Sequence, residues 1–306
     1  MARGRIGLAL GGGVARGWAH IGVLRALAKA GIRPDIVVGT SIGAVAGGCF
    51  VANKLDALEG FARSLTRRKV FGFLDFNLTG SGLISGDKLN ELLTTHLDNF
   101  IIEQLDTRFV AVATEIGTGH EIWLSQGRLV DAMRASYALP GIFRPVQLDG
   151  RWLFDGAIVN PIPVSVCRAL GAKVVIAVNL HHDAFGRGTV IINQRAKEDP
   201  EPAPAPAAPF PETKAGALQL LHRQFFGGGT NAPGISTVML EAFNITQDRI
   251  ARSRLAGDPP DFTITPKLAD FGVFDFHRAG ELIELGKQAA ERALEEIRHT
   301  VGTLAA

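Results

Sequence analysis

The sequence predicts an α/β fold built on a mostly parallel central sheet, and three observations carry that expectation. The uncharged runs Ile6–Leu10 and Ile36–Thr40 read as strands buried on both faces, because a parallel strand covered by helices looks continuously apolar. Each run is followed by a glycine-bearing turn and a stretch of helical length, and this alternation covers one sheet on both sides. A chain of 306 residues that is 46% hydrophobic and 20% charged is long and apolar enough for one large core.

In chain order, residues 6–10 read as the first strand, Gly11-Gly12-Gly13 as a turn, and 18–30 as a helix. Val37 and Val38 supply the second strand, and 44–65 has helical composition throughout. A Phe-rich stretch follows, with Phe71, Phe73 and Phe76, which is either core or the apolar lip that admits an acyl chain. Residues 86–97 read as a helix, 107–116 and 120–124 as strands, 128–138 as a helix, 151–154 as a short strand and 173–180 as another. From 196 to 233 a Pro/Ala-rich segment cannot close a core and reads as a mobile insertion. Beyond it come a helix at 235–255, an edge strand at 260–266, and a last helix. Leu282, Leu285, Ala289, Ala293 and Ile297 place an apolar stripe along that helix. The whole, 1–306, is expected to form a single domain, with 234–306 packing back on the first part.

One stretch decides between two kinds of protein. Residues 36–52 carry no charge, and Gly39, Gly43 and Gly47 recur every four residues, as on a membrane-helix packing face. The run lies at the bottom of the spanning range and starts with β-branched residues, and no second candidate span exists in the sequence. A strand turning into a helix fits better. Gly39-Thr40-Ser41-Ile42-Gly43 then matches the G-x-S-x-G nucleophile elbow. Glycine two residues either side of the serine removes side chains that would collide with the crossing backbone. Packing glycines around an ordinary serine is the bland reading of the same pattern.

A nucleophilic serine needs donors for an oxyanion. The turn Gly11 to Gly17, leading into a helix, offers backbone N–H groups that point outward together. A phosphate cradle is the rival reading, but the P-loop lysine is missing and G-x-G-x-x-G fails at Arg16. Asp155, ending the strand 151–154, stands either as a base or as an ordinary turn residue before Gly156. A base there requires a pKa raised above the usual carboxylate value of about 3.9; Trp152 and Phe154 are candidates for the apolar surround. His181 and His182 keep a Ser–Asp–His order open, against a structural role, and a metal site at 181–183 lacks further ligand spacing. His20 reads as packed against the glycine turn.

The segments Leu-Gly-Gly-Gly-Val-Ala-Arg-Gly-Trp-Ala-His-Ile-Gly at 10–22, the Gly-Thr-Ser-Ile-Gly elbow, Arg-Ala-Ser-Tyr-Ala-Leu-Pro-Gly-Ile-Phe at 134–143 and Asp-Gly-Ala at 155–157 together resemble the patatin-like phospholipases. The likeness points to the bacterial branch related to neuropathy target esterase. The resemblance implies a three-layer α/β/α patatin-like fold and a serine esterase of lipid acyl chains working through a Ser–Asp dyad without histidine. Carried over, Ser41 is the nucleophile and Asp155 the base; Gly12, Gly13 and Val14, with Arg16 beside them, form the oxyanion turn; Gly39 and Gly43 frame the elbow. Val14 stands where many members have glycine, and Ala157 replaces a second glycine, yet both keep their N–H. No metal or organic cofactor is implied. A catalytically idle scaffold or regulatory adaptor with the same fold is the reading from a different class.

Composition narrows the partners. A net charge of +2, from 32 basic and 30 acidic residues, excludes a polyelectrolyte surface for nucleic acid. Cys49 and Cys167 read as two reduced, buried thiols, and the first apolar run is too short for a secretory signal. The expectation is a cytoplasmic protein taking a lipid or ester substrate, in transient peripheral contact with a membrane surface. Oligomeric state and natural substrate stay open.

Overall fold

The apolar runs become strands whose alternate residues are shared between two cores. In the computed structural model, residues 5–67, 87–181 and 235–305 are described. The chain divides into two units, one of residues 1–185 with 247–306 and the other of 186–246. In the first, β1 (Ile6–Leu10), β2 (Ile36–Thr40) and β3 (Arg108–Glu115) come before β4 (Glu121–Leu124), β5 (Val146–Leu148) and β6 (Arg151–Asp155). β7 (Val174–Val178) and β8 (Phe262–Ile264) complete an eight-stranded sheet. Strands β3, β2, β1, β7 and β8 lie side by side and parallel. β4 and β6 run antiparallel to β3, and β5 antiparallel to β6.

Period-two alternation sorts the side chains. Leu8, Leu10, Val37, Phe109, Ala111, Ile176 and Val178 enter the larger core cluster, whereas Ala9, Val38, Val110, Val112, Val175 and Ala177 enter a second one. Helices close both. The larger cluster takes residues from α1 (Ala19–Lys29), α2 (Ile42–Val51), α3 (Leu55–Ser64), α4 (Asp87–Leu97) and α5 (Leu129–Tyr137). The second takes Val164, Val166 and Cys167 of α6 (Val164–Ala169) and Ala251 of α7 (Ile235–Gly257). The result is the three-layer α/β/α arrangement. Phe109, with 1% of its surface exposed, is a keystone of the larger layer, and its truncation to alanine costs about 3–5 kcal/mol.

The last helix, α8 (Ala279–Ala305), buries Leu282, Ala289 and Ile297, with Leu285 and Ala293 packed beside them. It crosses α1 at two glycines. A Cβ on Gly22 would stand 1.8 Å from the Ile283 carbonyl oxygen, and one on Gly286 would stand 2.0 Å from that of Ala19. The stretch 44–65, expected to be one helix, is two. Asn53, at φ 57°, turns the chain between α2 and α3, a conformation asparagine tolerates better than most residues. Cys49 and Cys167 are buried free thiols, pushed up to about 12 by desolvation. In the second unit the first turns of α7 are described, where Thr246 Oγ1 donates to the Ala242 carbonyl. Phe71, Phe73 and Phe76, His182, and the Pro/Ala segment lie outside the described residues.

Candidate active site

Ser41 sits at the turn from β2 into α2 with φ 57° and ψ −128°. That backbone is strained for a residue with a Cβ and persists only where its surroundings impose it. The surroundings are two glycines. A Cβ on Gly39 would stand 2.4 Å from Ala44 Cα, and one on Gly43 would stand 2.2 Å from the Leu10 carbonyl oxygen. Thr40 Oγ1 donates to the Asn160 carbonyl, 2.9 Å. The Ser41 N–H donates to Ser136 Oγ, 2.9 Å, which donates in turn to the Val112 carbonyl, 2.6 Å. The elbow is thereby tied to α5 and β3.

Register on β3 brings in the carboxylate. Ala111 and Val112 pair with both β2 and β4, and Ala113 and Thr114 pair with both β4 and β6. A strand has two edges, so β2 and β6 share one edge of β3, tip to tip. Thr40 lies opposite Val112 and Asp155 opposite Ala113. Across the junction Ser41 Oγ donates to Asp155 Oδ2 at 2.6 Å. Asp155 Oδ1 accepts the Ala157 N–H, 2.8 Å, its own N–H donates to Ala138, and its carbonyl accepts from Thr114 Oγ1. Gly156 is needed for close approach, since a Cβ there would stand 2.2 Å from the Val112 carbonyl oxygen.

Asp155 is 1% exposed. Desolvation pushes its carboxyl up to about 7, against the lowering effect of its hydrogen bonds from Ser41 and Ala157. The apolar surround differs from the one expected. Alternation turns Trp152 and Phe154 to the opposite face, and Trp152 is 50% exposed. Leu153, two residues back and on the same face as Asp155, is buried with Ala113 and Ala135.

The glycine turn lies against the elbow: the position of a Cβ on Gly12 is 3.6 Å from Ser41 Cβ. The Gly12 N–H is donated to the Pro161 carbonyl, 3.0 Å, and that of Arg16 to the Gly13 carbonyl, 3.1 Å. Among the described residues, the N–H groups of Gly13 and Val14 have no hydrogen-bond acceptor. The two open donors of the turn are therefore these, not Gly12. Arg16 is buried, with Nε donating to the Phe271 carbonyl, 3.0 Å. Val14 adopts φ 51°, a left-handed backbone that strains a β-branched residue.

Neither His20 nor His181 bonds the pair. His20 Nε2 meets the Gly11 carbonyl at 2.7 Å, and burial lowers its pKa to about 4. His181 lies beside the Gly12 carbonyl without a hydrogen bond of normal geometry. Burial, with Arg16 nearby, lowers it to about 4 as well. Both rings are neutral at pH 7. Among the described residues no group of three His, Cys, Asp or Glu is placed to hold a metal. A side chain that sequence reading passed over does reach the turn: Gln247 Oε1 stands 3.5 Å from the same Gly12 Cβ position.

A serine on the strained turn after a central parallel strand, with a glycine turn beside it, sits in an α/β fold with a mostly parallel eight-stranded sheet. The chain belongs to the patatin-like phospholipase family, whose sequence profile matches residues 8–168, which places it with lipid acyl hydrolases. It is 31% identical to an uncharacterized NTE family protein of Mycobacterium tuberculosis, over 95% of this chain and 91% of that protein. A second uncharacterized NTE family protein of that organism is 30% identical over 95% of this chain and 46% of its own length. A patatin-like phospholipase domain-containing protein of Caenorhabditis elegans is 38% identical over 57% of this chain and 13% of its own length. Among solved structures, VipD from Legionella pneumophila matches 96% of this chain and 67% of that chain, at 12% identity and a TM-score of 0.46.

Proposed function

We propose that the chain is a serine esterase that hydrolyses carboxylic esters of lipids through a dyad of Ser41 and Asp155. The observation that carries this reading is the 2.6 Å hydrogen bond from Ser41 Oγ to a carboxylate whose pKa burial raises to about 7. A base with a pKa near the working pH is both available and strong enough to take a proton. Asp155 Oδ2 accepts the Ser41 proton as Oγ bonds to the ester carbonyl carbon. The Gly13 and Val14 N–H groups receive the oxyanion. Collapse breaks the bond to the alcohol, which takes the proton from Asp155 and leaves an acyl-Ser41 ester. Water then adds to that ester, giving its proton to Asp155, and the acid departs as Ser41 recovers the proton.

Lipid substrate is reached by transient peripheral contact with a membrane surface from the cytoplasm. Among the described residues no helix is long and apolar enough to cross a membrane. The test is labelling with a fluorophosphonate probe, peptide mapping of the adduct, and assay on a panel of phospholipids, lysophospholipids and p-nitrophenyl esters. The adduct should map to Ser41. An unlabelled, inactive but folded protein would favour an idle scaffold.

A further inference from the structure

The space beside Gly12 is a meeting point. The position a Cβ would take there lies 3.3 Å from Ala157 Cβ, 3.5 Å from Gln247 Oε1 and 3.6 Å from Ser41 Cβ. Gln247, carried on α7, is 3% exposed, and among the described residues its Oε1 has no hydrogen-bond partner. One turn on, the inward side of the helix is apolar, with Ala251 buried in the second core and Leu255 packed against it. Asp248, equally buried, is occupied by Arg252 Nε at 2.8 Å. The amide oxygen is thus a buried acceptor with no donor among the described residues, on the Ser41 side of the glycine turn. Buried polar atoms nearly always have a protein or water partner, and an exception calls for a ligand or an ordered water.

Acyl transfer supplies the need. During acylation Ser41 Oγ brings a single proton, and Asp155 takes it. During deacylation the attacking water brings two O–H bonds, so one can point to Asp155 and the other requires a second acceptor. We infer that Gln247 Oε1 accepts that second O–H and holds the deacylating water beside the Gly12 gap, an inference that rests on the dyad proposed above. The water oxygen bonds to the acyl carbon, and its first proton goes to Asp155 Oδ2. The Ser41 Oγ–carbon bond then breaks, and Oγ takes that proton back. The second proton stays on the acid released.

The experiment compares the parent with Gln247→Met, an unbranched side chain of similar length that cannot accept the bond. Stopped-flow release of p-nitrophenolate gives acylation as a burst and deacylation as the steady rate. Product analysis in aqueous methanol gives the partition between acid and methyl ester. Methanol brings one O–H, so methanolysis does not need Gln247. The variant should keep the burst rate within about threefold, lose about tenfold or more in the steady rate, and shift the partition toward methyl ester by about tenfold. Intact-mass analysis should show acyl-enzyme accumulating, and the melting temperature should not fall, because the lost atom had no partner. An unchanged partition, an equal fall in both phases, or a variant less stable than the parent would each overturn the inference. If the parent's Ser41 is neither acylated nor labelled, the dyad reading fails and the inference with it. If Ser41 is acylated and only the Gln247 result is negative, the dyad stands alone.

Discussion

Ser41 and Asp155 meet at 2.6 Å because Thr40 and Asp155 face consecutive residues, Val112 and Ala113, on one edge of β3. The pair is a product of sheet register, and its properties follow from that enclosure.

Replacing Ser41 with alanine should abolish ester hydrolysis and probe labelling while leaving the fold intact, as circular dichroism and the melting curve would record. A true nucleophile typically contributes several orders of magnitude. Activity remaining within about tenfold of the parent would locate the nucleophile elsewhere. Ser41→Gly should be inactive too but more stable than Ser41→Ala, since glycine relieves the φ of 57°.

The pH dependence follows from Asp155. Ester hydrolysis, as kcat/KM, should rise with pH through an inflection near 7, where the buried carboxyl ionises. Stability should move the other way. Its folded pKa lies above the unfolded value of 3.8, so this group favours the folded state most below about pH 4. That contribution is lost as pH rises to about 7 and stays level above it. Asp155→Asn removes the buried charge and should raise the melting temperature at pH 8 relative to the parent while reducing hydrolysis at least about a hundredfold. A pH-independent rate between 5 and 9 would contradict the assignment.

His181 tests whether a third residue takes part. With its ring neutral and no bond to Ser41 or Asp155, His181→Ala should leave the chemical step within about tenfold, measured as the acylation burst. A loss matching that of Asp155→Asn would restore a triad.

Val14→Gly should stabilise the protein. The left-handed valine at φ 51° carries about 1–2 kcal/mol of strain, which amounts to a melting shift of a few degrees in a chain of this size. Hydrolysis should persist, because the N–H is unchanged. A lowered melting temperature would mean that the valine side chain matters more than its backbone.

Close-approach glycines should be intolerant by contrast. Gly43→Ala would drive a methyl to 2.2 Å from the Leu10 carbonyl oxygen, and Gly286→Ala to 2.0 Å from that of Ala19. Both should express as unstable or aggregated protein. Gly60, with open space around its missing Cβ, should accept alanine and gain from its helix propensity.

How much was legible in the sequence depended on the range of the cause. The elbow could be read because its constraint is local: Gly39 and Gly43 are demanded by backbone within a few residues of Ser41 and by β1 beside it. The two-faced core could be read because parallel strands announce themselves as apolar runs. Asp155 stood undecided between base and turn residue, since its partner lies 114 positions away and only the pairing of β3 aligns them. The surround expected from Trp152 and Phe154 ignored the period of two, which was available and points to Leu153. The open donors of the glycine turn were hidden because the Gly12 N–H is spent on Pro161, a contact no pattern foretells. Gln247 stayed unseen because a polar residue in a helix reads as solvated until the packing shows which side faces inward.

The tip-to-tip meeting of β2 and β6 also makes the proposed dyad a gauge of strand alignment. A slip of β6 by one residue would turn every side chain of that strand to the other face and set Phe154 or Gly156 where Asp155 belongs. Misaligned chains would keep most of their secondary structure, and much of their burial, yet lack the proposed proton acceptor. During refolding, reactivity toward a fluorophosphonate should therefore appear after the circular dichroism signal has recovered, and the lag between them measures the time β6 takes to find its place.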